Sequence, residues 1–356
     1  MVVLAFSLAG AQQEPAPAAA PAEEAHIRLS VDALFSVGAS TLPTDNLRGL
    51  QGGGHDPKIN GFNLQSVELS LIGAVDPYFS SEAHVLFGVD AQSGTSFLEL
   101  EELFFRSDAL PAGLAIKGGA FLTDFGRING THVHAWSWQD QPVILTRAFG
   151  PDGARGLGLE LAWLVPVDWF TELKISAQNP MGETMVSFLG TEEVSQTRNQ
   201  PYVDRDFNGL SDLAVLARLE SGFDWTDRVS SKLGGSWMTG PNASGEGTFT
   251  NILGLDAVTK WKPLNARRGW PFASVEGELV LRRFAVDEFY DPGTIDGGFD
   301  DVVSTAGSLV DWGGYLQVRD GFTPRGGPRG PPPSLWGSGV EPAGCLCRSP
   351  VPTAPP

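Results

Sequence analysis

Apolar and polar side chains alternate with a period of two along most of this chain. A helix, whose faces repeat every 3.6 residues, cannot use such a pattern. Ile27, Leu29, Val31 and Phe35 oppose Arg28, Ser30 and Asp32. Val67, Leu69 and Leu71 oppose Ser66, Glu68 and Ser70, and Ala83, Val85 and Phe87 oppose Glu82 and His84. Leu114 and Ile116 oppose Lys117, Leu157 to Trp163 oppose Glu160, and Leu173 and Ile175 oppose Glu172 and Lys174. Later runs set Arg218 and Glu220, then Lys232, then Asp256 and Lys260, then Glu276, Glu278 and Arg282 against Val, Leu and Trp partners. A less regular stretch covers Ser96 to Arg106, and a last run surrounds Asp311 and Gln317. The pattern predicts about twelve strands of roughly 9–12 residues, the length that crosses a bilayer when tilted. The predicted class is all-β.

Alternation alone admits two architectures. A soluble sandwich turns its apolar side inward, whereas a transmembrane barrel turns that side to lipid and lines its lumen with the polar one. The connections discriminate. Residues 38–60, 122–154, 179–212 and 285–308 form long links, and most of the links between them are tight turns, as at Asp76-Pro77 and residues 165–168. Long loops on one end and short turns on the other fit an antiparallel up-and-down transmembrane β-barrel. Tyr78, Phe79, Trp163, Trp169, Phe223, Trp225, Trp261, Trp270 and Phe322 lie beside the short turns. Amphipathic rings gathered on one rim suit a membrane interface. No amphipathic helices separate the strands, which excludes parallel α/β folds, and irregular spacing excludes propellers and solenoids.

Composition removes other classes. With 24 Lys+Arg against 42 Asp+Glu the net charge is -18, so nucleic acid is not an expected partner. A hydrophobic content of 42% with 10 Trp is too rich for acidic disorder. Residues 1–11 read as a secretory signal lacking its cationic start, and 12–25 as a Pro/Ala/Glu tether. The barrel is expected over 26–324. Residues 325–356 hold nine prolines and both cysteines, Cys345 and Cys347. They read as a non-native or disordered tail, of the kind a shifted reading frame would produce.

Two loops carry chemistry. Residues 122–154 are expected to fold into the lumen, where Lys117 on the preceding strand and Arg127, His132, His134, Trp136, Trp138 and Asp140 shape a constriction. His132 and His134 lack a third close ligand, so a packed Trp/His-rich loop is preferred to zinc there. Asp204, Asp206, Asn208, Leu210 and Asp212 match positions one to nine of a calcium loop, with Gly209 at its turn. Val215 stands where the position-twelve carboxylate belongs, which predicts weak calcium binding. Glu99, Glu101 and Glu102 share one strand, where neighbouring positions are expected on opposite faces. No G-x-S-x-G elbow or phosphate loop occurs, so an enzyme is not expected.

The stretches VELSLIGAVDPYF (Val67–Phe79), LELEELFFRSDALPAGLAIKGGAFLTDFGRIN (Leu98–Asn129), HAWSWQDQP (His134–Pro142), GLGLELAWLVP (Gly156–Pro166) and LVDWGGYLQV (Leu309–Val318) resemble bacterial outer-membrane proteins labelled phosphate-selective-porin-like or "zinc-regulated TonB-dependent outer membrane receptor". The resemblance implies a barrel of about sixteen strands with an inward-folded loop and passage of small solutes. With only six lysines in the chain, phosphate specificity is not expected. A plug domain of the TonB-dependent kind is not expected from the residues ahead of Ile27. The expected function is a porin-like channel of the bacterial outer membrane passing small solutes or ions, with no required cofactor. Its partners are outer-membrane lipid and those solutes, with a homotrimer as one assembly open to it. A surface receptor using the long loops and a soluble lectin-like β protein are the alternatives.

Overall fold

A computed structural model describes residues 2–8, 27–90, 93–107, 110–198, 200–266, 270–291, 302–304 and 306–321. The strands are β1 (Val2–Leu8), β2 (Ile27–Ala39), β3 (Gly61–Ala74), β4 (Ser80–Val89), β5 (Ser96–Ser107), β6 (Leu114–Leu122), β7 (Arg155–Leu164), β8 (Thr171–Gln178), β9 (Ala214–Thr226), β10 (Val229–Pro241), β11 (Phe249–Trp261), β12 (Phe272–Val286), β13 (Phe289–Asp291), β14 (Val302–Ser304) and β15 (Gly307–Gly321). Three short helices lie in the links: α1 (Thr44–Leu50), α2 (Val143–Phe149) and α3 (Glu192–Thr197). Every ladder of the main sheet is antiparallel, and each strand pairs with its sequence neighbour in the order β1 to β12 and then β15. β13 and β14 form a separate hairpin inside the last long link. The fold is an all-β, antiparallel up-and-down sheet. Among the described residues β1 and β15 are its edges, with no ladder joining them.

Each of the twelve alternating runs is a strand. The backbone of Val2–Leu8, inside the segment that reads as an export signal, forms a thirteenth along β2, with Val2 opposite Ala39 and Leu8 opposite Ala33. The tether and the Pro-rich tail, with Cys345, Cys347 and the rim residue Phe322, lie outside the described residues.

Burial is reversed relative to a soluble sheet. Leu159, Leu255, Leu279 and Leu316, all mid-strand, remain 56%, 66%, 62% and 57% exposed. Arg218, Asp256, Glu278 and Arg282, on the opposite face, are buried. At the short-turn end the exposed rings of Tyr78, Trp169 and Trp225 form a rim, with Trp169 and Phe223 stacked at 6.2 Å and Phe223 and Trp225 tilted together at 5.9 Å.

The sheet curls around one segment. Residues 123–154 reach the inner face of β3 through His134–Glu68 at 2.9 Å, and of β5 through His132–Glu102 at 2.8 Å. They reach β8 through Asp124–Lys174 at 2.6 Å, β10 through the Gly126 N–H to Ser236, and β12 through the Arg127 N–H to Glu278. On β15, Trp138 packs against Tyr315 with ring centroids 5.2 Å apart. In a flat sheet, ten interstrand spacings of about 4.8 Å would place β3 and β15 roughly 48 Å apart. One loop touching both requires a strongly curved wall with the polar face inside.

That loop and the link before β9 fill the long-loop end of the interior with an apolar plug. Phe125, Ile128, Ile144, Leu145, Phe149, Met185 and Phe188 pack on Leu216, Met238, Ile252 and Val280 of the wall. Glycine at inward positions makes the room: a Cβ at Gly254 would lie 2.5 Å from the Phe125 ring, and one at Gly313 would press on Ile144 at 3.0 Å.

Candidate functional site

Below the plug the inner face is polar, and its most concentrated feature is a histidine–carboxylate cluster on β3, β4, β5 and the inward loop. Glu68, 2% exposed, stands at its centre. Its Oε1 lies 2.8 Å from His84 Nδ1 and accepts from the Ser70 hydroxyl at 2.9 Å. Its Oε2 lies 3.2 Å from His132 Nδ1 and 2.9 Å from His134 Nδ1. His132 reaches Glu101 at 3.1 Å through the same nitrogen and Glu102 at 2.8 Å through Nε2. His84 turns its Nε2 toward Glu82 at 3.6 Å. The three imidazoles lie side by side, with ring centroids 4.4 Å apart for His84 and His132 and 5.8 Å for His132 and His134. Burial opposes a charged ring at His132, yet hydrogen bonds to Glu101, Glu102 and Glu68 push its pKa up to about 12.

Two β-bulges build this cluster. The β2–β3 register slips between Leu34 and Phe35, so that Gln65 is the extra residue and Asn63, Gln65, Ser66, Glu68 and Ser70 are all buried. The β4–β5 register slips between His84 and Val85, which leaves Glu101 without a partner. Glu101 and Glu102 consequently both face inward, at 5% and 6% exposure. Strict alternation would have sent one of them to the outer face; a bulge suspends the alternation at one position. The expectation that neighbouring carboxylates point apart is corrected here.

A cavity of about 340 Å³ opens beside the cluster, lined by Glu82, His84, Glu102, Arg106, Lys117, Asp124, His132, Glu160, Glu172 and Lys174 among others. Lys117 sits 3.4 Å from Glu160, and Lys174 bridges Asp124 at 2.6 Å and Glu172 at 3.5 Å. Further round the wall, Arg218 holds Asp256 through both terminal nitrogens at 2.6 and 3.1 Å and Glu220 at 3.1 Å, and Glu220 also takes Lys232 at 2.7 Å. Arg282 pairs with Asp311 at 2.6 Å, where Arg147 of α2 joins at 3.2 Å. Glu276 lies 3.5 Å from Arg319. Asp32 is half-buried, while Arg28, Lys232 and Lys260 are exposed near the strand ends.

The predicted constriction residues separate into groups. Lys117, His132 and His134 face the cavity or the cluster. Arg127 lies 4.0 Å from Glu220. Trp136 and Trp138 pack against the plug, Trp136 donating its ring N–H to the Thr131 carbonyl, and Asp140 is exposed. In the 204–212 loop, Asp212 accepts from the Asn208 N–H at 2.8 Å and lies 3.4 Å from the Arg205 guanidinium, a cation already beside that carboxylate. Asp204 and Asp206 are exposed, and Leu210 is 88% exposed. Among the described residues, the group whose His, Cys, Asp or Glu ligand atoms converge is Glu68, His84 and His132. Alternation placed Glu68 on the polar face with Ser66 and Ser70, but it could not assign Glu101 and Glu102 together, since the bulge that aims both inward leaves no mark in a period-two count.

No family model matches the chain. An uncharacterized protein of Aquifex aeolicus (strain VF5) is 35% identical over 147 residues, which is 40% of this chain and 29% of that protein. The matched stretch thus spans less than a third of the relative's length. Among solved structures, the one described as "High pH structure of Pseudomonas putida OprB" aligns with 83% of this chain and 75% of its own, at 10% identity and a TM-score of 0.36.

Proposed function

We propose that the chain is the wall and inward loop of an outer-membrane, porin-like channel for small solutes or ions. The reversed burial carries this reading: a belt of exposed leucines on one face of the sheet and buried, mutually paired charges on the other. An outer face of this kind suits hydrocarbon, a solvent that offers no partner to a polar side chain. The aromatic rim and the short-turn end support the same orientation. Acidic groups outnumber Lys and Arg around the cavity, which favours cations over phosphate, since rings of like charge set pore selectivity.

The apolar plug gives specific support to a second reading, a surface receptor whose long loops bind a ligand while the bore stays narrow. Planar-bilayer recording on the full chain extracted in detergent separates them. Stepwise conductance with a reversal potential displaced toward cations is expected for the channel. Stable insertion without conductance favours the receptor, and a monodisperse chain in detergent-free buffer overturns both.

A further inference from the structure

We propose that Glu68, His84 and His132 form a binding site for a divalent transition-metal ion of the zinc class. One ligand atom from each of the first three lies within 4.8 Å of the others. Around an ion bound at about 2.0–2.1 Å, tetrahedral ligand atoms stand roughly 3.3–3.5 Å apart. Glu68 meets His84 Nδ1 at 2.8 Å through Oε1 and His132 Nδ1 at 3.2 Å through Oε2, so an ion between the two rings would sit against both oxygens of this carboxylate, after those contacts widen.

The far sides of the rings are arranged for the same purpose. A metal-bound imidazole usually donates its other N–H to a carboxylate, which fixes the tautomer and leaves the inner nitrogen free to ligate. His132 turns Nε2 to Glu102 at 2.8 Å, and Glu102 is itself held by the Leu122 N–H at 2.7 Å. His84 turns Nε2 to Glu82. Both Nδ1 atoms then face Glu68, and His132 Nδ1 also lies 3.1 Å from Glu101, so the ion would take the place of the proton that this nitrogen shares with those carboxylates.

Charge points the same way. Glu68, Glu82, Glu101 and Glu102 crowd around three imidazoles, and Arg106 lies 4.0 Å from Glu82. Either protons on the rings or a bound cation must supply the remaining positive charge. Mixed imidazole and carboxylate donors select a borderline ion over calcium or magnesium, which prefer all-oxygen shells. The ligands come from two strands and the inward loop, so a bound ion would rivet that loop to the wall. The proposal stands apart from the channel reading, because metal uptake is measured without conductance.

The test is zinc(II) titration of the full chain in detergent after chelator treatment, by calorimetry and by metal analysis of the dialysed protein. One equivalent is expected, with affinity falling more than about 100-fold in His132→Gln and Glu68→Gln and about 10–100-fold in Glu102→Gln. His55→Gln, outside the cluster, should match wild type. Absence of stoichiometric uptake by wild type, or unchanged affinity in the His132 and Glu68 variants, overturns the site and leaves a proton-held cluster. Should those variants fail to fold, X-ray absorption of the zinc-loaded wild type decides. Two or more imidazole nitrogens in the shell uphold the site, and an all-oxygen shell refutes it.

Discussion

At the scale of single residues, the interior is a set of charges that tolerate burial only in company. Asp56 shows how tightly such groups are held outside the strands. Its carboxylate accepts the Gly53 N–H at 2.7 Å and the Gln141 N–H at 2.8 Å, tying the first long link to the inward loop. Burial raises its pKa to about 6, against the opposing pull of those two hydrogen bonds. A carboxyl whose pKa is raised on folding stabilises the folded state fully below its unfolded value near 3.8. That contribution is lost as pH rises through about 6. Protection of the 53–56 and 141 amides against hydrogen exchange should therefore weaken from pH 4 to pH 7, by up to about 3 kcal/mol. In Asp56→Asn that pH-dependent component should vanish, and an unchanged slope would contradict the assignment.

At the scale of elements, period-two alternation located twelve of the thirteen strands of the main sheet, because each of the twelve has one lipid-like and one polar face and neither can be exchanged without inverting the strand. The inward loop was legible too, from its length and its Trp/His content. The bulges were not, since one unpaired residue changes the phase of a strand without changing its composition; Glu101 looks like any other strand carboxylate. The plug's second half, Met185 to Leu189, escaped because it lies in a link with no periodicity. Glycine supplies the test of the packing between plug and wall. Gly254→Leu would drive its Cβ into the Phe125 ring, which should destabilise the folded chain by about 1–3 kcal/mol. Gly235→Leu, on the outer face with only Leu255 nearby at 3.8 Å, should be near neutral. Equal losses in thermal unfolding of the two variants would place Phe125 elsewhere.

For the whole molecule, the decisive question is what the outer face touches. In Leu279→Arg a charge is set into the middle of β12 at a 62% exposed position. In a bilayer the change should cost about 2–4 kcal/mol in unfolding from lipid vesicles. Leu210→Arg, at an 88% exposed loop position, should cost almost nothing. If the two variants unfold alike, the leucine belt does not meet hydrocarbon. Sequence alone reaches this orientation through the contrast between long and short connections and through the aromatic rings beside the short turns, because the strands themselves read the same in either solvent.

The reach of residues 123–154 bears on how such a molecule is made. The segment sits in mid-chain, yet it grips β3 and β5 on one flank and β10, β12 and β15 on the other. Strands synthesised early and late thus share a single template. The curvature of the wall belongs to that shared grip as much as to the ladders, much as a hoop takes its bend from the form beneath it.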